Sequence, residues 1–153
     1  MNRTAPARRA AFVRFTTITT RWLDNDVFAH LNNAHYYSFF DTAICTPLVE
    51  AGLLDPAASR LIPVVVESGC RYRVSLGFPD LVHAGIRVAH LGRSSVRYEI
   101  GLFRNADPEA AAEGFFVHVY VAREDMRPAP IPDDIRAALA ALQKKAGSEA
   151  PGP

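Results

Sequence analysis

The sequence predicts an α+β fold in which a curled antiparallel sheet of five strands wraps around one long apolar helix. Segments rich in β-branched and aromatic residues follow one another with only short turns between them, which is typical of antiparallel strands. One segment, from Asn33 to Gly52, is instead apolar around most of a helix circumference, and such a helix is usually buried. With 153 residues, 49% of them hydrophobic, the chain is long enough for one such domain.

Composition and charge exclude several classes of protein. The chain carries 17 Lys and Arg against 16 Asp and Glu, a net charge of +1, so no broad basic surface favours nucleic acid. No apolar run approaches the ~20 residues that a membrane-spanning helix needs. The basic N-terminus lacks the apolar segment of a signal peptide. We therefore expect a cytoplasmic protein with neither a nucleic-acid partner nor a membrane partner.

The first third of the chain alternates between regular and polar stretches. Residues 11–20 predict the first strand, and residues 21–32 are dense in the Asp and Asn that favour turns and helix caps. The long helix follows, with Asn32 or Asn33 as its N-terminal cap. Pro47 is expected to kink this helix or to start a separate last turn.

Four more strands and a second helix complete the predicted fold. Pro63 indicates that the second strand lies at an edge or carries a bulge near its start. Turns are predicted at 77–80 and at Gly92, and a proline-rich connector leads to the last helix. The predicted strands are 61–75, 81–91, 93–103 and 114–123, and the predicted last helix is 133–145.

A single domain is predicted over residues 11–145, with flexible tails at 1–10 and 146–153. Cys45 and Cys70 have no short spacing, so they indicate neither a disulfide framework nor a zinc site. A sheet curled around one helix leaves strand edges and one face uncovered. We therefore expect a homo-oligomer, either a dimer or a tetramer.

The segment from Asp24 to Tyr36 has the residue types needed for acyl transfer to water. Two Asp, one His and two Asn precede the start of an apolar helix, where unpaired backbone N–H groups and the positive end of the helix dipole can polarise a carbonyl oxygen. A nearby carboxylate could act as nucleophile or as general base toward water. The surrounding apolar side chains could form a dry pocket for an acyl group.

The same segment carries a recognisable motif. The motif reads Asp24-x-Asp26-x-x-x-His30-x-Asn32-Asn33-x-x-Tyr36. It resembles the signature of hotdog-fold thioesterases of the 4-hydroxybenzoyl-CoA thioesterase-like family. The strand–helix–four-strand order and the turn at 77–80 also resemble this family, over roughly residues 11–124. The resemblance implies a hotdog fold and hydrolysis of an acyl-coenzyme A to a free acid and coenzyme A (CoA).

The resemblance also implies roles for individual residues. Asp26 matches the catalytic carboxylate of the family, which attacks the thioester carbonyl or activates water. Asn33 and Ala34 match the helix start whose backbone N–H groups bind the thioester oxygen. His30 matches a histidine of the plant acyl-carrier-protein thioesterases, although those enzymes have Asn where Phe28 stands here. Coenzyme A and carrier protein therefore both stay open as the carrier of the acyl group.

Further residues are expected to bind the substrate. The acyl group is expected beside Phe28, Tyr36 and Phe40. Arg93 matches a basic stretch that in some relatives contacts the nucleotide phosphates of CoA. Asp24 is more simply interpreted as a turn cap. Because CoA is then part of the substrate, no separate cofactor is expected, and the scattered histidines imply no metal.

Two other functions stay open at this point. A hotdog hydratase or dehydratase would keep the fold and use Asp or Glu with His, although on a different motif. A non-catalytic acyl-CoA-binding protein would keep the pocket without the chemistry, and Phe28 at a polar position is compatible with that function. The chain contains no Gly-x-Ser-x-Gly sequence, the mark of one class of serine hydrolase.

Overall fold

The computed structural model describes residues 4–143, and these residues form the predicted α+β architecture. The strands are β1 (Arg14–Thr19), β2 (Leu61–Tyr72), β3 (Leu81–Leu91), β4 (Ser95–Arg104) and β5 (Ala112–Ala122), and the helices are α1 (Asn33–Glu50) and α2 (Asp133–Ala140). All neighbouring strands are antiparallel, in the order β1-β3-β4-β5-β2. The connection through α1 therefore carries the chain from one edge of the sheet, β1, to the other edge, β2.

Helix α1 is buried along one side because its aromatic residues face the sheet. Phe40 is fully buried, and its ring packs edge-on against Phe116 of β5 with 5.7 Å between ring centroids. Gly114 of β5 makes this close contact possible, since a Cβ atom there would lie 2.3 Å from the Phe40 ring. The hydrophobic core therefore lies between α1 and the inner face of the sheet, chiefly β3, β4 and β5.

Replacing Gly114 with alanine is expected to lower the free energy of unfolding by about 1–3 kcal/mol, the usual cost of overpacking a core. The added methyl group would meet the Phe40 ring and also the Gly69 carbonyl oxygen, 2.8 Å away, which cannot rotate aside. Urea denaturation measures the difference. Gly92→Ala is the control, because its Cβ would meet the movable Ser95 hydroxyl at 2.7 Å. Equal losses for the two variants would contradict this account.

Pro47 and Pro63 are two positions at which the sequence predicts a break or an irregularity in the main elements. Helix α1 includes Pro47 and continues beyond it to Glu50, so of the two predicted outcomes, a kink or a separate last turn, the separate turn does not form. The chain leaves the helix through Gly52, whose φ of +70° suits glycine. Pro63 lies on the edge strand β2, as predicted, and a bulge follows it between Val65 and Glu67.

Residues 4–12 lie on the outer face of the sheet, the face away from α1, where the sequence predicts a tail followed directly by a strand. The Phe12 ring covers Gly85 and Gly101 so closely that a Cβ atom at Gly101 would lie 2.6 Å from the ring. Arg9 donates hydrogen bonds to two carbonyl oxygens in the loop between β4 and β5. The described part of the predicted tail is therefore bonded to the sheet, and β1 starts later than predicted.

Helix α2 is shorter than predicted and packs Ile135 and Leu139 into the core. Its predicted end at Lys145 and the predicted tail over 146–153 lie outside the described residues. No helix within residues 4–143 is long and apolar enough to cross a membrane.

Candidate active site

A compact loop, residues 24–32, lies directly before α1 and presents the predicted catalytic residues. Its base is closed by a hydrogen bond from the Asn32 N–H to the Asp24 carbonyl oxygen, 2.9 Å long, and by one further backbone bridge. Within the loop the Asp26 N–H donates to the His30 carbonyl oxygen at 2.7 Å. These bonds attach Asp26 and His30 firmly to the start of the helix.

Asp24 supports the loop. It is 1% exposed, and its carboxylate accepts hydrogen bonds from the Arg21 backbone N–H at 2.7 Å and from the Arg21 guanidinium at 2.8 Å. Burial raises the pKa of Asp24, but these bonds and the Arg21 charge outweigh burial and hold the pKa below its ordinary value. Asp24 therefore stays charged and secures the short turn Trp22–Asp24, consistent with its interpretation as a cap.

Asp26 is half-buried on the loop, with one carboxylate oxygen engaged. Its Oδ1 accepts hydrogen bonds from the backbone N–H groups of Phe28, at 2.8 Å, and His30, at 3.3 Å. Nothing in the described part of the chain donates to Oδ2. Ala29 completes the turn with a φ of +61°, which is uncommon for a residue other than glycine. One oxygen of Asp26 therefore holds the loop in shape, while the other has no donor within residues 4–143.

The start of α1 leaves one backbone N–H group without an acceptor. Asn32 caps the helix, because its Oδ1 accepts from the Ala34 N–H at 3.0 Å and its carbonyl oxygen accepts from the His35 N–H at 2.9 Å. For the exposed Asn33 N–H, residues 4–143 provide no acceptor. This N–H group lies at the positive end of the helix dipole and can donate to a carbonyl oxygen. The Ala34 N–H, in contrast, is already bonded.

Replacing Asn32 with alanine is expected to lower the free energy of unfolding by about 1 kcal/mol, the usual cost of losing a helix N-cap. Asn32→Asp keeps an acceptor oxygen at the same position, so this variant should keep most of the stability. Thermal unfolding of both variants measures the difference. If both lose the same stability, the side chain of Asn32 does not act as a cap.

A second loop, between β2 and β3, supports the site from the side. Leu76 accepts a hydrogen bond from the Leu31 N–H at 2.7 Å, and its own N–H donates to the Tyr36 hydroxyl at 3.3 Å. The Asn25 side-chain oxygen accepts from the Phe78 N–H at 3.0 Å. The last two bonds join residues 40 and 53 positions apart, so no local spacing in the sequence could have pointed to them.

Tyr72, the last residue of β2, also belongs to the site although the motif does not include it. Its hydroxyl donates to the Asn33 carbonyl oxygen at 3.3 Å, and its ring packs edge-on against Tyr36 with 4.8 Å between centroids. Burial and the neighbouring Cys70 thiol raise the pKa of Tyr72 to about 12. The hydroxyl is therefore protonated at neutral pH and steadies the helix start as a hydrogen-bond donor.

The structure brings together some of the predicted substrate-binding residues and separates others. Phe28 is 75% exposed on the loop, whereas Tyr36 and Phe40 are buried in the core below it. Arg93 lies on the turn that follows the last residue of β3, whereas the first residue of β3 lies towards loop 24–32. The length of β3 therefore separates Arg93 from the loop by roughly 30 Å. Within one chain, Arg93 and Asp26 are thus at opposite ends of the sheet.

Large apolar side chains around the loop are open to solvent. They are Trp22, Leu23, Val27, Phe28 and Phe78. The exposed His30 ring makes no hydrogen bond within the part of the chain that the structure describes. No three His, Cys, Asp or Glu residues among 4–143 are grouped so that they could hold a metal ion. The Asp26 carboxylate and the Asn33 N–H group are therefore surrounded by an apolar surface, which is typical of a binding site.

Comparison with known proteins assigns the family. Residues 20–139 match the family model of the thioesterase-like superfamily. The chain belongs to this superfamily. A search of curated proteins found no match to the chain. The predicted family resemblance is confirmed, because the match covers most of the chain, including the motif.

Solved structures related to this superfamily member confirm the hotdog fold. The PA5185 protein from Pseudomonas aeruginosa strain PAO1 is 48% identical, with a TM-score of 0.89 over 94% of this chain and 99% of that chain. The PA2801 protein from the same species, described as a candidate thioesterase, is 30% identical, with a TM-score of 0.78 over 84% and 98%. BH1999, a gentisyl-coenzyme A thioesterase, is 22% identical, with a TM-score of 0.72 over 82% and 99%, and shows the fold alone.

Proposed function

We propose that this protein hydrolyses acyl-coenzyme A thioesters to a free acid and coenzyme A. The observation that carries the proposal is that a free carboxylate oxygen of Asp26 and the free N–H of Asn33 belong to a loop and a helix start held together by hydrogen bonds. Thioester hydrolysis needs a carboxylate for the attack and a donor for the oxygen that gains negative charge. Membership of the thioesterase-like superfamily supports the same activity.

In the proposed reaction the thioester carbonyl oxygen accepts a hydrogen bond from the Asn33 N–H, and the helix dipole favours the negative charge that develops there. Asp26 either removes a proton from the attacking water or attacks the carbonyl carbon itself, forming a mixed anhydride that water then hydrolyses. In both routes the C–S bond breaks and the sulfur leaves with the electron pair. The sulfur then takes up a proton, and the acid leaves as a carboxylate.

The proposed substrate has an apolar acyl group and coenzyme A as its carrier. Exposed apolar side chains next to Asp26, such as Phe28 and Phe78, suit an apolar acyl group. Two structures with the same fold are described as a gentisyl-coenzyme A thioesterase and a DHNA-CoA thioesterase, which supports coenzyme A as carrier. His30 is proposed to act mainly through the backbone N–H that holds Asp26.

The chain is also proposed to work as a homo-oligomer, either a dimer or a tetramer. Strand β2 is an open edge of the sheet, and the side chains of Val65 and Val66 on it are 46% and 59% exposed. An edge with apolar side chains is a favourable place for a second copy to pair. Analytical ultracentrifugation of the purified chain tests this proposal, and a monomer at all concentrations would contradict it.

Release of free thiol from a panel of short, long and aromatic acyl-CoAs tests the proposed activity. We expect hydrolysis of at least one of these classes. Non-catalytic binding of acyl-CoA is the second candidate, because two backbone N–H groups already occupy Oδ1 of Asp26. Tight acyl-CoA binding without released thiol would favour that candidate. Hydration of crotonyl-CoA without released thiol would identify a hydratase instead.

A further inference from the structure

A trough of about 760 Å³ lies on the outer face of the sheet, away from α1. Side chains alternate between the two faces of a strand, and the outward residues here come mainly from β2, β4 and β5. Part of segment 4–12 forms one wall, and the Phe115 ring lies over Gly69 on the floor. The volume is typical of small-molecule sites. The lining residues that matter are Arg71, Arg97, Glu99, Glu113 and Phe115.

The trough has unpaired positive charge. Its two carboxylates, Glu99 and Glu113, are each paired with an arginine, Arg87 and Arg73 respectively. The guanidinium of Arg71 faces the trough and has no carboxylate within ion-pair distance in residues 4–143, and the same holds for Arg97. Two cations are therefore available to an anionic ligand, which charge-assisted hydrogen bonds would hold.

The two free guanidinium groups are already oriented. Arg97 stacks on Phe115, with its Cζ atom 3.9 Å from the ring centroid, which keeps the edge of the guanidinium open for donation. Arg71 donates one hydrogen bond to the Thr4 hydroxyl at 3.1 Å and retains further N–H groups. Guanidinium donors beside an aromatic ring suit a ligand that has both phosphate groups and an aromatic base.

One end of the trough adjoins the candidate active site. Arg71 and Tyr72 are consecutive residues of β2, so their side chains point to opposite faces of the strand. Tyr72 contacts the Asn33 carbonyl oxygen on the inner side, while Arg71 lines the trough on the outer side. Because β2 is an edge strand, a flexible chain can pass around this edge of the sheet at Tyr72, from the inner side to the outer side.

The geometry points to this trough as the binding site for the nucleotide part of acyl-CoA, with Arg71 and Arg97 as its phosphate-binding residues. The inference rests on the proposed function. The thioester lies at Asn33, the pantetheine arm passes Tyr72, and the adenosine with its 3′- and 5′-phosphates lies in the trough. Arg93, which the family resemblance pointed to, lies at the far end of β3 in the same chain.

Kinetics with a full and a truncated substrate test the assignment. The truncated substrate is the N-acetylcysteamine thioester of the same acyl group, which lacks the nucleotide. For Arg71→Met and Arg97→Met we expect KM for acyl-CoA to rise about tenfold or more, with kcat unchanged, because a bond to a charged group is lost. KM for the truncated thioester should stay the same. Arg14→Met, which removes an exposed ion pair with Glu50, is the control.

Three kinetic results would overturn the assignment. The first is an unchanged KM for acyl-CoA in both Arg71→Met and Arg97→Met. The second is an equal rise of KM for the full and the truncated substrate, which would show a general disturbance of the protein. The third is a rise of KM in Arg93→Met alone, which would place the nucleotide at the turn after β3. Circular dichroism confirms that each variant is folded, and Arg97→Lys provides a second, milder variant.

Direct binding tests the trough without any need for catalysis. Isothermal titration calorimetry with adenosine 3′,5′-bisphosphate should show binding to the wild-type chain and at least tenfold weaker binding to the Arg71→Met/Arg97→Met double variant. Equal binding to both proteins would overturn the inference. Equal affinity for 5′-ADP, together with an unchanged KM for acyl-CoA, would show a site for free nucleotide instead. If no acyl-CoA is hydrolysed but the bisphosphate binds as expected, only the proposed activity fails.

Discussion

Changing Asp26 to asparagine is expected to lower kcat for acyl-CoA hydrolysis by about 10²–10⁴-fold, the range ascribed to a positioned general acid or base. Asparagine keeps an oxygen at the position of Oδ1, so the backbone N–H groups of Phe28 and His30 keep their acceptor. The negative charge needed for attack, or for proton removal from water, is lost. The loop should therefore keep its shape while the reaction nearly stops.

Thiol release and circular dichroism, measured on both proteins, separate a loss of chemistry from a loss of fold. Asp24→Asn is the matched control, because it makes the same change in the same loop at a buried carboxylate bonded to Arg21. We expect that variant to lose about 1–3 kcal/mol of unfolding free energy and far less of its kcat than Asp26→Asn. Wild-type turnover in Asp26→Asn would remove Asp26 from the mechanism.

Replacing His118 with phenylalanine is expected to stabilise the protein, most clearly in acid. His118 on β5 is 2% exposed, and neither of its ring nitrogens has a hydrogen-bond partner within the described chain. Burial lowers the pKa of His118 from about 6.5 to about 4. The neighbouring Tyr98 hydroxyl is buried as well, and burial raises its pKa well above the ordinary value, so it stays neutral. No nearby charge compensates for protonation of His118.

The acid dependence of stability follows from the difference between the pKa of His118 in the unfolded chain and its pKa in the folded chain. Below about pH 6.5 the unfolded chain takes up a proton at His118, whereas the folded chain does so only near pH 4. Wild-type unfolding free energy should therefore fall by about 2 kcal/mol between pH 7 and pH 5 because of this group. The phenylalanine variant should lack that loss. At pH 7 it should also gain stability, since two buried, unbonded nitrogens are removed.

Urea denaturation at pH 7 and pH 5 measures these differences. His90→Phe is the control, because it makes the same change at an exposed histidine on β3. The decisive comparison is between the unfolding free energy that His118→Phe loses from pH 7 to pH 5 and the unfolding free energy that the wild type loses over the same range. Equal losses would show that protonation of His118 does not cause the acid sensitivity.

The individual elements are predictable from local signals, while their arrangement in the sheet is not. Strand β3 is predicted to the residue, because a turn at 77–80 and Gly92 mark its two ends. The start of α1 is predicted as closely, because Asn32 is a strong cap. The pairing of β1 with β3 depends on which strand edge is free once the hairpins have formed. No short stretch of sequence encodes that choice.

The sequence predicts only a tail for the N-terminal segment, for the same reason. Its small and basic residues have no periodicity, so nothing local indicates that they are bonded to the sheet. Phe12 has a place to pack only because Gly85 and Gly101 lie side by side on neighbouring strands. That surface exists only after β3 and β4 have paired.

In the candidate site, the motif predicts which loop carries the catalytic residues, but it does not predict which hydrogen-bonding groups of that loop and of the helix start are free. The sequence pointed to Asp26 and to the helix start, and the structure shows them on one bonded unit, although their roles stay predictions. Which N–H group stays free depends on how Asn32 distributes its two acceptors, and only the structure shows that this group belongs to Asn33. The contribution of Tyr72 arises from a strand far along the chain.

An edge strand that pairs with the same strand of a second copy is used up by that contact. Strand β2 is the longer of the two edges in this sheet. Pro63, which has no N–H, and the bulge between Val65 and Glu67 interrupt its regular ladder. Pairing of two β2 strands about a twofold axis would use this edge on both copies, so the assembly would close instead of exposing a fresh copy of the same edge. Such pairing would thereby prevent open-ended growth of the protein into fibres.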